Sequence, residues 1–247
     1  RLIELPPTGT EVLITTRLNS FQDLGLLLVA TDALRRAGVG ALRLFVPYFP
    51  GARQDRVMTP GEPLTVKVYA DLINAQRYDR VTVFDPHSDV TPALLDRCQV
   101  LSNHDFVKSC LADLGPVTLV APDGGALKKI HKLSEALGGL DVLECSKKRD
   151  VRTGTLSGFH VPEDDLGGQN FVIVDDICDG GGTFVGLGEE LKAHGAGDLY
   201  LVVSHGIFSR GFEELSRWFR GVFTTDSIRN RRPDDPNFLT IQPLSLP

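Results

Sequence analysis

The chain has 247 residues, 42% of them hydrophobic, and a formal net charge of −6. That length holds one large or two modest α/β domains around a sizeable core, and the acidic balance argues against a general nucleic-acid binder. No apolar run of membrane-spanning length and no secretory leader pattern is present, so no membrane partner is expected.

In chain order, a strand pattern over Glu11–Thr16 precedes a helix pattern over Phe21–Ala37. A strand at Ala41–Pro47, a helix at Thr65–Gln76 and a strand at Val81–Asp85 follow, then a helix at Phe106–Leu114. The second half reads as a strand at Val117–Ala121, a helix at Ala126–Leu137 and strands at Val142–Cys145 and Phe171–Val174. A helix at Phe184–His194, a strand at Leu199–Ser204 and a helix at Gly211–Phe219 complete it. Such alternation predicts an α/β protein whose mostly parallel sheets are flanked by helices, with ligands beyond the carboxyl ends of the strands. A boundary is expected near Leu101–Asp105, after the polar stretch Asp96–Gln99, giving domains over 1–103 and 104–247. The cysteines, Cys98, Cys110, Cys145 and Cys178, form no CxxC pair and no metal-ligand spacing. Cys110 and Cys145 fall in apolar segments and are expected as buried thiols, which fits a reducing, cytoplasmic compartment. The chain starts at Arg1 without an initiator methionine, so further residues are expected ahead of it.

The segment Phe171–Phe184, FVIVDDICDGGGTF, carries the most chemistry. Its apolar residues Phe171–Val174 read as a buried strand, with Asp175 and Asp176 directly after it. Asp179, Gly180, Gly181, Gly182 and Thr183 then form a tight turn into a helix, where inward backbone N–H groups make a phosphate nest. Carboxylates would repel that phosphate, so ribose hydroxyls or a bridging cation are their expected partners. The alternative is a glycine-rich turn with solvated acids. No Gly-Lys-Ser/Thr follows and the glycines are contiguous, which excludes a P-loop and the dinucleotide fingerprint.

Four further clusters follow strand patterns. In PYFPGARQDR (Pro47–Arg56), Arg53, Gln54 and Arg56 offer stacking, forked donors and base-edge hydrogen bonds, or form a solvated basic loop. In FDPHSD (Phe84–Asp89), His87 suits a metal, a phosphate or a turn cap. In VAPDGGALKK (Val120–Lys129), Asp123 precedes two glycines, and Lys128 and Lys129 read as solvated helix residues. In Cys145–Phe159, Lys147, Lys148, Arg149 and Arg152 suggest a cationic hairpin lid over a polyphosphate.

Taken in order, these clusters resemble the ribose-phosphate pyrophosphokinase (PRPP synthase) family. The family's PYxxYARQDR appears as PYFPGARQDR, EPxxAK as Glu62–Lys67, DLH as Asp85-Pro86-His87 and PDxGG as Pro122–Gly125. The mobile-loop KRR appears as Lys147-Lys148-Arg149, VDDxxDTxGT as Val174–Thr183, and Ser204-His205-Gly206 matches a further segment. The resemblance runs from about Glu11 to Ile228. It implies two type I phosphoribosyltransferase-like domains and Mg²⁺-dependent transfer of diphosphate from ATP to the anomeric hydroxyl of ribose 5-phosphate, with AMP leaving. Arg53 and Gln54 would then hold ATP, and His87 and Asp123 would place Mg²⁺ and ATP. Lys147 and Arg149 would contact the transferring phosphates, Asp175 and Asp176 the ribose hydroxyls, and Asp179–Thr183 the 5-phosphate. A homo-oligomer is also implied, as is an N-terminal segment ahead of Arg1.

The chain departs from the pattern at three points. Val57 replaces a lysine, SDVTP follows His87 in place of a glutamine-containing segment, and Gly180 replaces a threonine. Losing that hydroxyl and its bulk opens a second reading, in which the acceptor is ADP-ribose in an NAD salvage route. A phosphoribosyltransferase would share the Asp175–Thr183 loop without needing ARQDR or the cationic hairpin. A non-catalytic homologue would not need His87, Lys147 and Arg149 together.

Overall fold

The computed structural model describes residues 2–149 and 156–247. Two compact units divide them. One is Arg1–Ser102 with Ser227–Arg229 and Leu244–Pro247; the other is Asn103–Asp226 with Asn230–Pro243. The short return of the chain to the first unit is marked by Asn19 Nδ2, which donates to the Ile228 carbonyl at 3.1 Å.

The first unit runs β1 (Val12–Thr15), α1 (Phe21–Arg36), β2 (Leu42–Val46), α2 (Thr65–Asn74), β3 (Arg80–Phe84), α3 (Val90–Leu94) and β4 (Cys98–Leu101). Its sheet has the order β1-β2-β3-β4, every pair parallel. Leu44, Phe45 and Val46 are successive yet all buried, so both faces of β2 are covered, as a parallel sheet requires. α1 starts where Ser20 Oγ accepts the Asp23 N–H, the N-cap bond that orders a first turn. Its Leu24, Leu27 and Leu34 join Leu44, Val46, Val81 and Val83 in one core. The polar stretch Asp96–Gln99 overlaps β4, which the sequence pattern did not predict. Pairing with β3 overrides its weak propensity.

The second unit contains α4 (His104–Leu111), β5 (Thr118–Ala121), α5 (Leu127–Ala136), β6 (Val142–Glu144), β7 (Ser146–Arg149) and β8 (Leu156–His160). β9 (Phe171–Cys178), α6 (Gly182–Ala193), β10 (Leu199–Gly206), α7 (Glu213–Trp218), β11 (Gly221–Thr225) and β12 (Leu239–Gln242) follow. Six strands form a parallel sheet in the order β12-β11-β10-β9-β5-β6, and β7 pairs antiparallel with β8. The chain leaves β5 toward β6 on one side and leaves β9 toward β10 on the other. The strand order therefore reverses between β5 and β9. A crevice at the carboxyl ends of two such strands is where open α/β sheets bind ligands.

The expected α/β architecture of parallel sheets flanked by helices is what the chain adopts. One correction concerns β9. The sequence pattern ends it at Val174, with the acids in the turn beyond. The strand instead continues through Asp175 and Asp176 to Cys178, because β10 keeps pairing with it: Val203 with Asp175, His205 with Ile177 and Gly206 with Cys178.

Candidate active site

In the second unit, β5 and β9 bring three acids to one end of the sheet. β5 ends at Ala121, and Asp123 Oδ1 accepts the N–H groups of Gly125 (2.9 Å) and Ala126 (3.2 Å), a turn that leads into α5. On β9, Asp176 is 7% exposed and its N–H donates to Asp175 Oδ1 at 2.8 Å. Burial, then the adjacent Asp176 carboxylate and a hydrogen bond with it, push the Asp175 carboxyl far above the usual range. Two carboxylates held this close resist losing both protons. Lys129, exposed in the first turn of α5, opposes that rise with its charge. Its electrostatic reach to Asp175 goes beyond the solvated role read from sequence.

Beyond Cys178, the glycine run turns into α6. Gly181 has φ +75°, a conformation that favours glycine, and it is the N-cap with no side-chain capping bond. The helix starts at Gly182, one residue ahead of Thr183. Its first-turn N–H groups are thus left without a side-chain cap, the arrangement that favours an anion. Cys178 lies fully buried behind the loop. Burial, with the charges of Asp175 and Asp179, pushes its thiol up to about 12. Burial also pushes Cys110 and Cys145 up to about 12, so these thiols are inert, as their apolar contexts predict.

A second layer lies on this loop. Ile207 and Phe208 both donate to the Cys178 carbonyl, at 2.9 and 3.1 Å, and Ser209 donates to the Asp179 carbonyl at 3.0 Å. Phe208 takes φ +51°, rare for a bulky residue, and its ring is held against Phe212 with centroids 4.8 Å apart. The turn puts Arg210 over Gly180: a Cβ on that glycine would lie 3.3 Å from Arg210 Nε and 3.4 Å from its Cδ. Sequence reasoning reached Ser204-His205-Gly206, which ends β10, but not Arg210.

Lys147 and Arg149 lie on β7, with Lys147 opposite Phe159 and Arg149 opposite Leu156. Arg152 lies outside the described residues. The hairpin is tied to the loop's own helix. The Phe159 ring, 3% exposed, sits so close to α6 that a Cβ on Gly186 would be 3.2 Å from it.

In the first unit, the loops after β2 and β3 meet through a residue passed over in the sequence. Although its burial opposes ionisation, hydrogen bonds from Ser88 and Arg56 and the charges of Arg56 and His87 hold the Asp55 carboxyl below its usual range. Arg53, Gln54 and His87 are exposed around it. Gln54 Oε1 accepts the Thr65 hydroxyl at the start of α2, so its amide group is oriented by the helix. Asp85 closes β3 with φ +36°. The two residues assigned by resemblance to Mg²⁺ and ATP, His87 and Asp123, belong to different units.

Among the described residues, no group of three or more His, Cys, Asp or Glu side chains is placed to hold a metal. A closed protein cage is thus not what they build. Mg²⁺ keeps several waters and binds through one or two carboxylates and substrate phosphates, and a single oriented carboxylate such as Asp123 fits that mode.

Residues 8–76 match the model of the N-terminal domain of ribose phosphate pyrophosphokinase, and residues 94–231 match the phosphoribosyl transferase domain. The ribose-phosphate pyrophosphokinase of Pyrococcus abyssi is 31% identical over 229 residues, covering 89% of this chain and 78% of the relative. The chain belongs to the ribose-phosphate pyrophosphokinase family. The corresponding protein of Thermococcus kodakarensis is 34% identical over 210 residues, 82% of this chain and 72% of its own length. The fold is shared with the phosphoribosylpyrophosphate synthetase of Mycobacterium smegmatis. That likeness has a TM-score of 0.84 and 24% identity, and covers 98% of this chain and 81% of the other. Two phosphoribosyltransferase-like α/β units are thus the family architecture here. No described helix is long and apolar enough to cross a membrane.

Proposed function

We propose that this pyrophosphokinase-family chain transfers the β,γ-diphosphate of ATP to the anomeric hydroxyl of ribose 5-phosphate. The C1 oxygen bonds to the β-phosphorus and gives up its proton. The bond from the β-phosphorus to the α,β-bridging oxygen breaks, and AMP leaves carrying that oxygen. The observation that carries this reading is the convergence of three features at the β5–β9 reversal: the acid pair, Asp123 and the uncapped glycine loop.

Each residue has a role in that reading. Asp179, Gly180, Gly181, Gly182 and Thr183 cradle the 5-phosphate. Asp175 and Asp176 accept the ribose hydroxyls and fix the sugar. Arg53 and Gln54 hold the adenine nucleotide, with His87 beside them positioning its phosphates. Lys147 and Arg149 neutralise charge on the transferring group. Transfer of this kind needs alignment and charge neutralisation more than covalent chemistry. Mg²⁺, when bound with ATP, supplies Lewis-acid neutralisation of phosphate oxygens, and His87 and Asp123 are the residues that would hold it. The domains over 1–103 and 104–247, a homo-oligomeric assembly and a cytoplasmic location are parts of the same proposal. The four free cysteines agree with the last.

ADP-ribose is the second acceptor reading, favoured by the absence of a side chain at Gly180. The space beside Gly180 is not vacant, however: Arg210 fills it. The argument for ADP-ribose thus moves from room to charge. The test incubates the chain with ATP and Mg²⁺ and either ribose 5-phosphate or ADP-ribose, following AMP. AMP formed only with ribose 5-phosphate supports the main reading. AMP formed with neither acceptor overturns both.

A further inference from the structure

Arg210 is held over the glycine loop. Three backbone hydrogen bonds, from Ile207, Phe208 and Ser209 to the Cys178 and Asp179 carbonyls, pin its turn onto the glycine loop. The left-handed conformation of Phe208 aims the chain across that loop, and the Arg210 stem lies along Gly180, with Cγ 3.7 Å from an ideal Cβ there. The side chain is exposed, and among the described residues its guanidinium makes no hydrogen bond or ion pair. It also sits beside the amino end of α6, whose dipole presents positive charge. A negative ligand seated between this cation and the helix end would be favoured by both.

We propose that Arg210 is a ligand-binding residue of the phosphate loop, donating to the phosphate ester at C5 of the sugar in place of a side-chain hydroxyl at position 180. This rests on the pyrophosphokinase reading above. Gly180 and Arg210 act as one unit. The missing side chain makes room for a guanidinium, and the guanidinium returns donors to the same place with a full positive charge. A guanidinium forks across two phosphate oxygens, so it stays matched to its ligand where the phosphate carries a substituent. The ligand class is a 5-phosphorylated ribose, either a terminal monoester (ribose 5-phosphate) or a substituted one (ADP-ribose).

The test is calorimetry on the full chain, titrated separately with ribose 5-phosphate, ADP-ribose and ATP. The variants are Arg210→Ala, Arg210→Lys and Arg210→Ala combined with Gly180→Thr. Arg210→Ala is expected to weaken the sugar phosphate by about ten- to a hundredfold, the value of a charge-assisted contact. ATP affinity and Tm should stay unchanged. Arg210→Lys should recover part of the loss, and the double variant part of it through the new hydroxyl. A larger loss on ADP-ribose identifies the substituted ester as the ligand Arg210 reads; a larger loss on ribose 5-phosphate identifies the terminal phosphate. Unchanged affinity of Arg210→Ala for both sugars, or an equal fall for ATP, overturns the inference and leaves the reaction standing. Failure of the unaltered chain to bind either sugar phosphate overturns both.

Discussion

The ring of Phe159 lies against Gly186, 3.2 Å from where a Cβ would stand. This contact joins the β7–β8 pair to α6, the helix that begins at the glycine loop. The strand pair carrying Lys147 and Arg149 therefore packs on the helix that follows the glycine loop, with the Phe159 ring on Gly186 among its contacts. Gly186→Leu should push the ring off the helix. It is expected to cost about 1–3 kcal/mol by overpacking and to lower kcat more than it raises KM for the sugar phosphate. Thermal melts and steady-state kinetics check it. Normal turnover would show that the hairpin does not depend on this contact.

Lys147→Ala and Arg149→Ala should each lower kcat and kcat/KM together, by about 10²–10³, as removal of a transition-state donor does. Sugar-phosphate affinity by calorimetry should change little. A variant that loses binding while keeping kcat would move its cation from the transferring group to the ground state.

The acid pair makes stability depend on pH. The folded Asp175 carboxyl holds its proton far above the ordinary 3.8. Between that value and its raised folded value, the native state binds more protons than the unfolded chain. This contribution is therefore complete at low pH and is lost as pH rises through the folded pKa. The ligand-free protein should lose Tm as pH rises from 5 toward about 8, and Asp175→Asn should flatten the decline. An unchanged slope in the variant would place the dependence elsewhere.

Asp55 links the ARQDR loop to the His87 loop through Ser88 and Arg56. Asp55→Ala is expected to raise KM for ATP by about tenfold, the loss of one or two charged hydrogen bonds in positioning. Sugar-phosphate affinity should not move. Equal effects on both substrates would mean the change had spread beyond these two loops.

Much of the candidate site could be singled out in the sequence because it is local. Asp175 through Thr183 are contiguous, and their residue types alone ask for a phosphate nest beside hydroxyl acceptors. The end of β9 was not legible, since two acids in a strand contradict propensity and only pairing with β10 holds them there. β11 and β12 escaped for a related reason: each is short, and each depends on a neighbouring strand. Asp55 was hidden among basic residues, where it reads as loop charge. Arg210 had no sequence signal at all. Its place over Gly180 depends on the positive φ at Phe208, which an aromatic residue does not advertise.

The bonds from Ile207, Phe208 and Ser209 to Cys178 and Asp179 also give the molecule a built-in reporter. These three amide protons are donated to the loop itself, so their exchange with deuterated solvent clocks each opening of the loop. A ligand that seats in the glycine turn will slow all three at once. One that binds only to the first unit will leave their rates as they were, and the difference can be read without any turnover.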